Sequence, residues 1–127
     1  MSLVTPLNRV LGLGSAKGGA EHWWVQRMTA VGLVPLGLWL GWSLLAFEDM
    51  SYAAVVAWMS RPITSILLIL SVITVTYHSH LGVQVVVEDY VHGKAIKVVS
   101  LMLSTFVHVA VLIAAVFSIL KVAFGAS

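Results

Sequence analysis

Three long stretches of the chain contain no Asp, Glu, Lys or Arg. They cover residues 28–47, 62–87 and 98–120. An α-helix rises about 1.5 Å per residue, so about 20 residues cross the roughly 30 Å hydrocarbon core of a bilayer, and each stretch reaches that length. Backbone polar groups inside lipid must be paired within the segment, so each stretch predicts a transmembrane helix. Strands of a β-barrel would be roughly half as long and would alternate in polarity.

We therefore predict an all-α integral membrane protein with three transmembrane helices, at about residues 24–47, 62–90 and 97–122. Residues 1–22 contain four glycines and few apolar side chains, which predicts a polar amino-terminal arm before a transmembrane domain at 23–127. Residues 48–61 and 88–97 are then the connections. Three helices are few for a self-contained transporter or channel, which indicates a subunit that completes its bundle with a partner.

The basic residues predict the orientation of the helices. Loops rich in Lys and Arg stay in the cytoplasm. The predicted topology places five basic residues on one side of the membrane, and these are Arg9, Lys17, Arg27, Lys94 and Lys97. Two lie on the other side, Arg61 and Lys121. The amino terminus and the 88–97 loop are therefore predicted to be cytoplasmic.

Composition excludes several other classes of protein. Of the 127 residues, 60% are hydrophobic and 9% are charged, against about 25% charged in a soluble domain. Neither a soluble globular domain nor a disordered chain has this balance. A net charge of +2 provides no basic patch for nucleic acid. Without cysteine, the chain can form neither a disulfide nor a thiolate-ligated metal centre.

Histidines inside the predicted spans are the first candidates for chemistry, because an ionisable side chain in lipid is costly. His78 precedes Asp89 by 11 residues, about 1100° of helix rotation, so the two project from nearly the same face. Gly82 lies one turn from His78 and leaves a notch on that face. A neutral imidazole near mid-membrane beside a notch predicts an axial heme ligand. A hydrogen bond to a neighbouring helix and a proton relay remain alternatives for His78.

For the other two membrane histidines, the sequence pattern favours structural roles. His80 faces roughly the opposite way from Asp89, and we interpret it as a packing residue. His108 ends a stripe with Ser100 and Ser104 at helical spacing. A site in which His78 and His108 both bind one iron is geometrically allowed, but an interhelical hydrogen bond is the preferred interpretation of His108.

Polar residues at the helix ends suggest two further contacts. Asp89 and Tyr90 lie where the second helix leaves the membrane, as an ordinary interfacial pair or as a quinone site. A phenol there could donate to a quinone carbonyl while the carboxylate orients a base or passes protons. Arg27 opens the first helix and could anchor it by snorkelling or pair with heme propionates through its guanidinium fork.

These motifs together resemble the smaller membrane anchor (the D subunit) of bacterial succinate dehydrogenase. The resemblance rests on EHWWVQRMTA at residues 21–30, on His78-x-x-x-Gly82 and on Asp89-Tyr90. The amino-terminal GSAK at residues 14–17 is similar to the α-proteobacterial branch. An arginine–histidine pair that follows the heme histidine in the sister anchor is absent here. The His-to-Asp-Tyr spacing is the most specific of these features.

The resemblance implies a heme b shared between two anchor subunits, with His78 as one axial ligand and Arg27 near the propionates. It implies that Tyr90 donates to a ubiquinone carbonyl and that Asp89 supports the quinone site. The expected partners are a second anchor (a cytochrome b556 subunit), an iron–sulfur subunit and a flavoprotein subunit, in the bacterial inner membrane. The chain would have no dehydrogenase chemistry alone, and no nucleic acid is expected.

Two other functions stay open on the sequence alone. One is a heme-free structural anchor in which the histidines only pack. The other is a small membrane protein that handles protons or a metal through His78, His80 and His108. A fumarate reductase anchor is a close variant of the leading hypothesis, because reaction direction depends on potentials that the whole complex sets.

Overall fold

The computed structural model describes residues 19–125, and these residues form four α-helices. They are α1 (Gly19–Leu45), α2 (Tyr52–Met59), α3 (Pro62–Tyr90) and α4 (Lys94–Gly125). Three of them, α1, α3 and α4, are long and apolar enough to cross a membrane. The predicted all-α class with three membrane helices is therefore confirmed. Residues 1–18, most of the predicted arm, lie outside the described residues.

Each long helix extends beyond its uncharged stretch at one end or both, although α1 ends at Leu45, short of the predicted 47. α1 begins at Gly19, ahead of the predicted start at 24, and α4 begins at Lys94 rather than 97. The reason is that helices continue into the interface, where charged side chains are solvated. Glu21 in the first turn of α1 also interacts favourably with the positive end of the helix dipole. α3 matches the predicted 62–90, with Pro62 in its first turn, where a missing N–H costs nothing.

The short helix α2 lies inside the segment predicted only as a connection. Ser51 caps it, accepting a hydrogen bond from the backbone N–H of Ala54 at 3.4 Å. Its Trp58 stacks on Trp39 of α1, with ring centroids 6.0 Å apart, and meets Phe47 edge-on at 5.4 Å. The helix is too short to span a bilayer, so a search for membrane-length stretches does not detect it.

The three long helices lie in a row with α3 in the middle. α3 packs against both α1 and α4, whereas α1 and α4 do not contact each other within residues 19–125. Neighbours are antiparallel, since Gln26 near the start of α1 meets Gly82 near the end of α3. Lys97 closes the tight α3–α4 connection by donating from Nζ to the carbonyl of Glu88 at 2.7 Å.

A row of three helices buries little within the chain. The buried residues of the described segment are few, namely Thr64, Ser65, Leu81 and Ile119. α1 has no buried residue at all. A Cβ placed on Gly37 or Gly41 would meet no neighbour within 4 Å, so the packing notch that these small residues form is not used inside the described chain. Most apolar side chains of the described residues are therefore exposed on the outside of this row of helices.

Candidate functional site

The predicted heme ligand lies between α1 and α3. His78 is partly buried, and its Nδ1 is 2.9 Å from Oγ1 of Thr29 on α1. Its other ring nitrogen, Nε2, is 3.5 Å from Nε2 of Gln26, a long contact. Gln26 and Thr29 are three residues apart and present the same face of α1 to α3. The imidazole is thus bracketed by two polar side chains of one neighbouring helix.

His78 and Arg27 line the same open cavity of about 710 Å³. Other lining residues come from both helices and include His22, Trp23, Gln26, Gln84 and Glu88. From His78 to Glu88 is ten residues of α3, or about 15 Å along the helix. The cavity therefore reaches from the membrane interior to the cytoplasm-facing end predicted for α3. The structure brings together His78 and Arg27, which are far apart in the sequence.

Two buried polar atoms in this cavity have no hydrogen-bond partner within residues 19–125. They are Nε2 of His22 and Oε1 of Gln26. Buried polar atoms are almost always paired, so unpaired ones that line one cavity indicate a missing binding partner. The donor set here is an imidazole, an amide and a guanidinium, which suits a ligand with both a metal centre and anionic groups.

Arg27 is held at the mouth of the cavity by an aromatic ring. Its guanidinium carbon lies 4.4 Å from the ring centroid of Trp23. This is a cation–π contact, and Trp23 in turn meets Trp24 edge-on at 5.3 Å. The contact orients the guanidinium without using its five N–H donors, which remain available to an anionic group.

Gly82 lies on the His78 face of α3 as predicted, but the side chain of Gln26 from α1 occupies the space beside it, and Gly82 does not line the cavity of His78 and Arg27. A Cβ added at Gly82 would lie 3.6 Å from Nε2 of Gln26, the same amide that contacts His78. That distance is an ordinary van der Waals contact. A methyl group would therefore fit, whereas a larger side chain would enter the space that Gln26 occupies.

His80 projects from the opposite face of α3, toward His108 of α4. Their ring centroids are 5.2 Å apart, and both line a separate apolar cavity of about 180 Å³. Nδ1 of His108 donates to the carbonyl of Ser104 at 2.7 Å, so its Nε2 accepts from the hydroxyl of Ser79 at 3.2 Å. The preferred interhelical hydrogen bond of His108 is confirmed. With both nitrogens occupied on the far face, His108 does not share a site with His78.

Asp89 and Tyr90 form the last turn of α3. Both are exposed, and the side chain of Tyr90 is 77% accessible. Neither lines the cavity of His78 and Arg27. The helix ends with the backbone N–H of Val91 bonded to the carbonyl of Val87 at 3.1 Å. The acid–phenol pair is thus presented at the rim, outside the cavity.

Comparisons with known proteins agree with this architecture. The family model for "Succinate dehydrogenase/Fumarate reductase transmembrane subunit" matches residues 1–120. A succinate dehydrogenase hydrophobic membrane anchor subunit of Rickettsia bellii is 38% identical over 107 residues, covering 82% of this chain and 86% of that protein. The corresponding subunit of Paracoccus denitrificans is 29% identical over 126 residues, covering 99% and 97%. The chain belongs to the succinate dehydrogenase/fumarate reductase transmembrane subunit family. The resemblance predicted from the sequence is confirmed, and the chain is a multi-pass membrane protein.

For this family member, the structure adds site residues that the sequence did not single out. Gln26 and Thr29 contact the imidazole of His78, and Gln84 donates to Oε1 of Glu88 at 2.9 Å on the cavity wall. One signal for the first two was present, because they are polar residues three apart at the apolar start of a membrane helix. Which residue of α3 they meet depends on helix packing and could not be read from spacing.

Proposed function

We propose that this membrane anchor subunit of succinate dehydrogenase binds a heme b through His78 and Arg27 and contributes Tyr90 and Asp89 to a ubiquinone site. The main support for this proposal is that one cavity is lined both by the imidazole of His78, in the membrane interior, and by the guanidinium of Arg27, at the membrane boundary. A heme has its metal at the centre of an apolar ring and its carboxylates at one edge. The polarity of the cavity matches this distribution.

The residues present fit this group. His78 supplies a ring nitrogen facing the cavity, and Arg27 supplies fork-like donors suited to carboxylates. Nε2 of His22 and Oε1 of Gln26 have no hydrogen-bond partner within residues 19–125, so the cavity offers polar groups to a bound ligand. When bound, the heme would accept and return single electrons. His78 would be one of the residues that hold it, and the position of that side chain between two helices would limit access of water.

A further protein ligand to the heme would have to come from a second chain. His108 is turned to the far face of α3, and both of its nitrogens are engaged. Gly37 and Gly41 of α1, where an added Cβ would meet no neighbour within 4 Å, leave room for another helix. We infer that a second anchor subunit packs here and would provide another ligand to the heme.

Tyr90 and Asp89 are suited to a quinone at the membrane boundary. The exposed phenol can donate to a quinone carbonyl, and the neighbouring carboxylate can pass protons from the aqueous side. Because the pair lies outside the cavity of this chain, the quinone site would be completed by other subunits. An iron–sulfur subunit and a flavoprotein subunit would dock here on the cytoplasmic side of the bacterial inner membrane and deliver electrons from succinate.

Optical spectra of the purified complex test the heme assignment. Dithionite-reduced minus oxidised spectra should show a b-type α-band. His78→Ala should abolish or shift the band, because the iron loses a ligand. His80→Ala is the matched control, because that imidazole faces α4, and it should leave the band in place. An unchanged spectrum in His78→Ala would remove the ligand assignment.

Two electron acceptors separate the quinone role from assembly. Tyr90→Phe deletes only the phenolic hydroxyl, so reduction of ubiquinone should fall while succinate oxidation by an artificial acceptor persists. If both activities fell equally, the cause would be a defect in assembly. If neither changed, Tyr90 would not be a quinone ligand.

A further inference from the structure

The contact between Thr29 and His78 has a defined polarity. The hydroxyl oxygen of Thr29 lies 2.9 Å from the carbonyl oxygen of Val25 and 2.9 Å from that of Gln26. Carbonyl oxygens only accept, so the single hydroxyl proton of Thr29 is directed to its own helix. The oxygen is then an acceptor toward Nδ1 of His78, also at 2.9 Å. With the hydroxyl proton on its own helix, this geometry assigns the imidazole proton to Nδ1.

A proton on Nδ1 leaves the lone pair of the neutral imidazole on Nε2. The amide nitrogen of Gln26, 3.5 Å from Nε2, can only donate and is consistent with that tautomer. The side chain of His78, which includes Nε2, lines the same cavity as Arg27. The hydrogen bond to Thr29 thus makes Nε2 the nitrogen that can bind a metal, and the long 3.5 Å contact with the Gln26 amide would give way to the metal.

We propose that Thr29 is a positioning residue that holds His78 in the Nδ1-protonated tautomer and, by accepting its proton, tunes the heme. This proposal rests on the proposed role of His78 as a heme ligand. An acceptor on the distal nitrogen fixes the ring orientation and makes the imidazole a stronger electron donor. A stronger donor stabilises the ferric state more than the ferrous state, so Thr29 lowers the midpoint potential.

Local geometry makes Thr29 suited to this role. The hydroxyl of Thr29 is oriented by hydrogen bonds to two backbone carbonyls of the preceding turn of its own helix. Threonine side chains commonly make such bonds in membrane helices. The two helices approach closely one turn further on, where a Cβ at Gly32 would lie 3.8 Å from Cγ2 of Thr74. The glycine brings α1 near enough to α3 for a short side chain such as Thr29 to reach the imidazole.

Three substitutions at position 29 separate the hydroxyl from the methyl group. Thr29→Val keeps the shape and loses the acceptor, Thr29→Ser keeps the acceptor and loses the methyl, and Thr29→Ala loses both. Each is made in the whole purified complex, with heme content and midpoint potential measured by redox titration. Thr74→Val is the control, because that hydroxyl bonds to the carbonyl of Leu70 in its own helix, at 2.7 Å, and to no other group within residues 19–125.

We expect the midpoint potential and the heme content to depend on the hydroxyl group at position 29. Loss of such an outer-shell partner weakens metal binding by about 10- to 100-fold. If ferric binding weakens tenfold more than ferrous binding, the potential rises by about 59 mV for a one-electron couple. Thr29→Val and Thr29→Ala should therefore show a raised potential and retain less heme. Thr29→Ser and Thr74→Val should match the wild type.

Two patterns would overturn the proposal. One is a wild-type potential and heme content in Thr29→Val. The other is a change that follows the methyl group, with Thr29→Ser shifted like Thr29→Ala. If Thr29→Val does not assemble, Thr29→Ser and Thr29→Ala are compared instead. Equal midpoint potentials in those two variants would refute the role of the hydroxyl.

Failure of the heme assignment itself would look different. A wild-type complex without a b-type band, or His78→Ala with an unaltered band, would remove the proposed function and this inference with it. A normal band that requires His78 but ignores the hydroxyl at position 29 would remove the inference alone.

Discussion

Arg27→Gln removes the guanidinium at the mouth of the cavity while keeping a polar side chain of moderate length. If Arg27 pairs with a heme carboxylate, the complex should release heme faster. A hydrogen bond between charged groups contributes about 1.5–3 kcal/mol. Arg27 also rests 4.4 Å from the ring centroid of Trp23, and an exposed cation–π contact contributes about 0.5–1 kcal/mol.

The difference between these contributions sets the expected magnitude. If binding the carboxylate draws the guanidinium off the ring, about 0.5–2.5 kcal/mol remains. Arg27 is exposed, and water screens such contacts, so we expect the lower half of that range. This corresponds to roughly a two- to tenfold faster loss of heme.

Transfer of heme from the purified complex to an excess of apomyoglobin measures the rate of loss. Arg61→Gln is the matched control, because Arg61 caps the opposite end of α3 and should leave the rate unchanged. Arg27→Lys keeps the charge but loses the planar fork, so its rate should lie between those of the wild type and Arg27→Gln. Equal rates in Arg27→Gln, Arg61→Gln and the wild type would refute the pairing with heme.

Three further predictions concern other parts of the chain. Asp89→Asn should lower ubiquinone reduction but not reduction of an artificial acceptor, whereas Asp49→Asn at the other membrane face should change neither. Gly82→Ala should retain heme, because the added Cβ makes an ordinary 3.6 Å contact, whereas Gly82→Leu should lose it, and heme loss in both would contradict the spacing between Gly82 and Gln26 in the structure. In a double-mutant cycle with Ser79→Ala and His108→Phe, unfolding in mixed micelles should give a coupling of about 0.6 kcal/mol, with about 1.7 as the upper bound. A coupling of zero would mean that the 3.2 Å hydrogen bond adds nothing to stability.

Helical periodicity was sufficient to separate the two histidines of α3. His78 and His80 are two residues apart, so they must project from different faces of one helix. The structure agrees, because His78 contacts α1 and His80 lies against His108 of α4. Such an inference is reliable because rotation per residue is constant within a helix and needs no knowledge of the neighbours.

The sequence alone did not predict which side chains of different helices contact each other. Periodicity says that a side chain leaves a given face, but the element opposite that face depends on packing of several helices at once. Thr29 and Gln26 therefore became site residues only when α1 was placed beside α3. The short helix α2 was missed for a related reason, since it is stabilised by aromatic packing of Trp58 on Trp39 and Phe47 rather than by a membrane-length apolar run.

The amino-acid order alone determined the number of membrane helices, since uncharged runs of membrane-spanning length have one low-energy conformation in lipid. It also determined which polar residues share a face of α3. Only the tertiary structure decided that Arg27 shares a cavity with His78, that His108 bonds to Ser79, and that Tyr90 stays outside the cavity. Those outcomes depend on the order and spacing of helices in the row, which side-chain packing sets and local sequence does not.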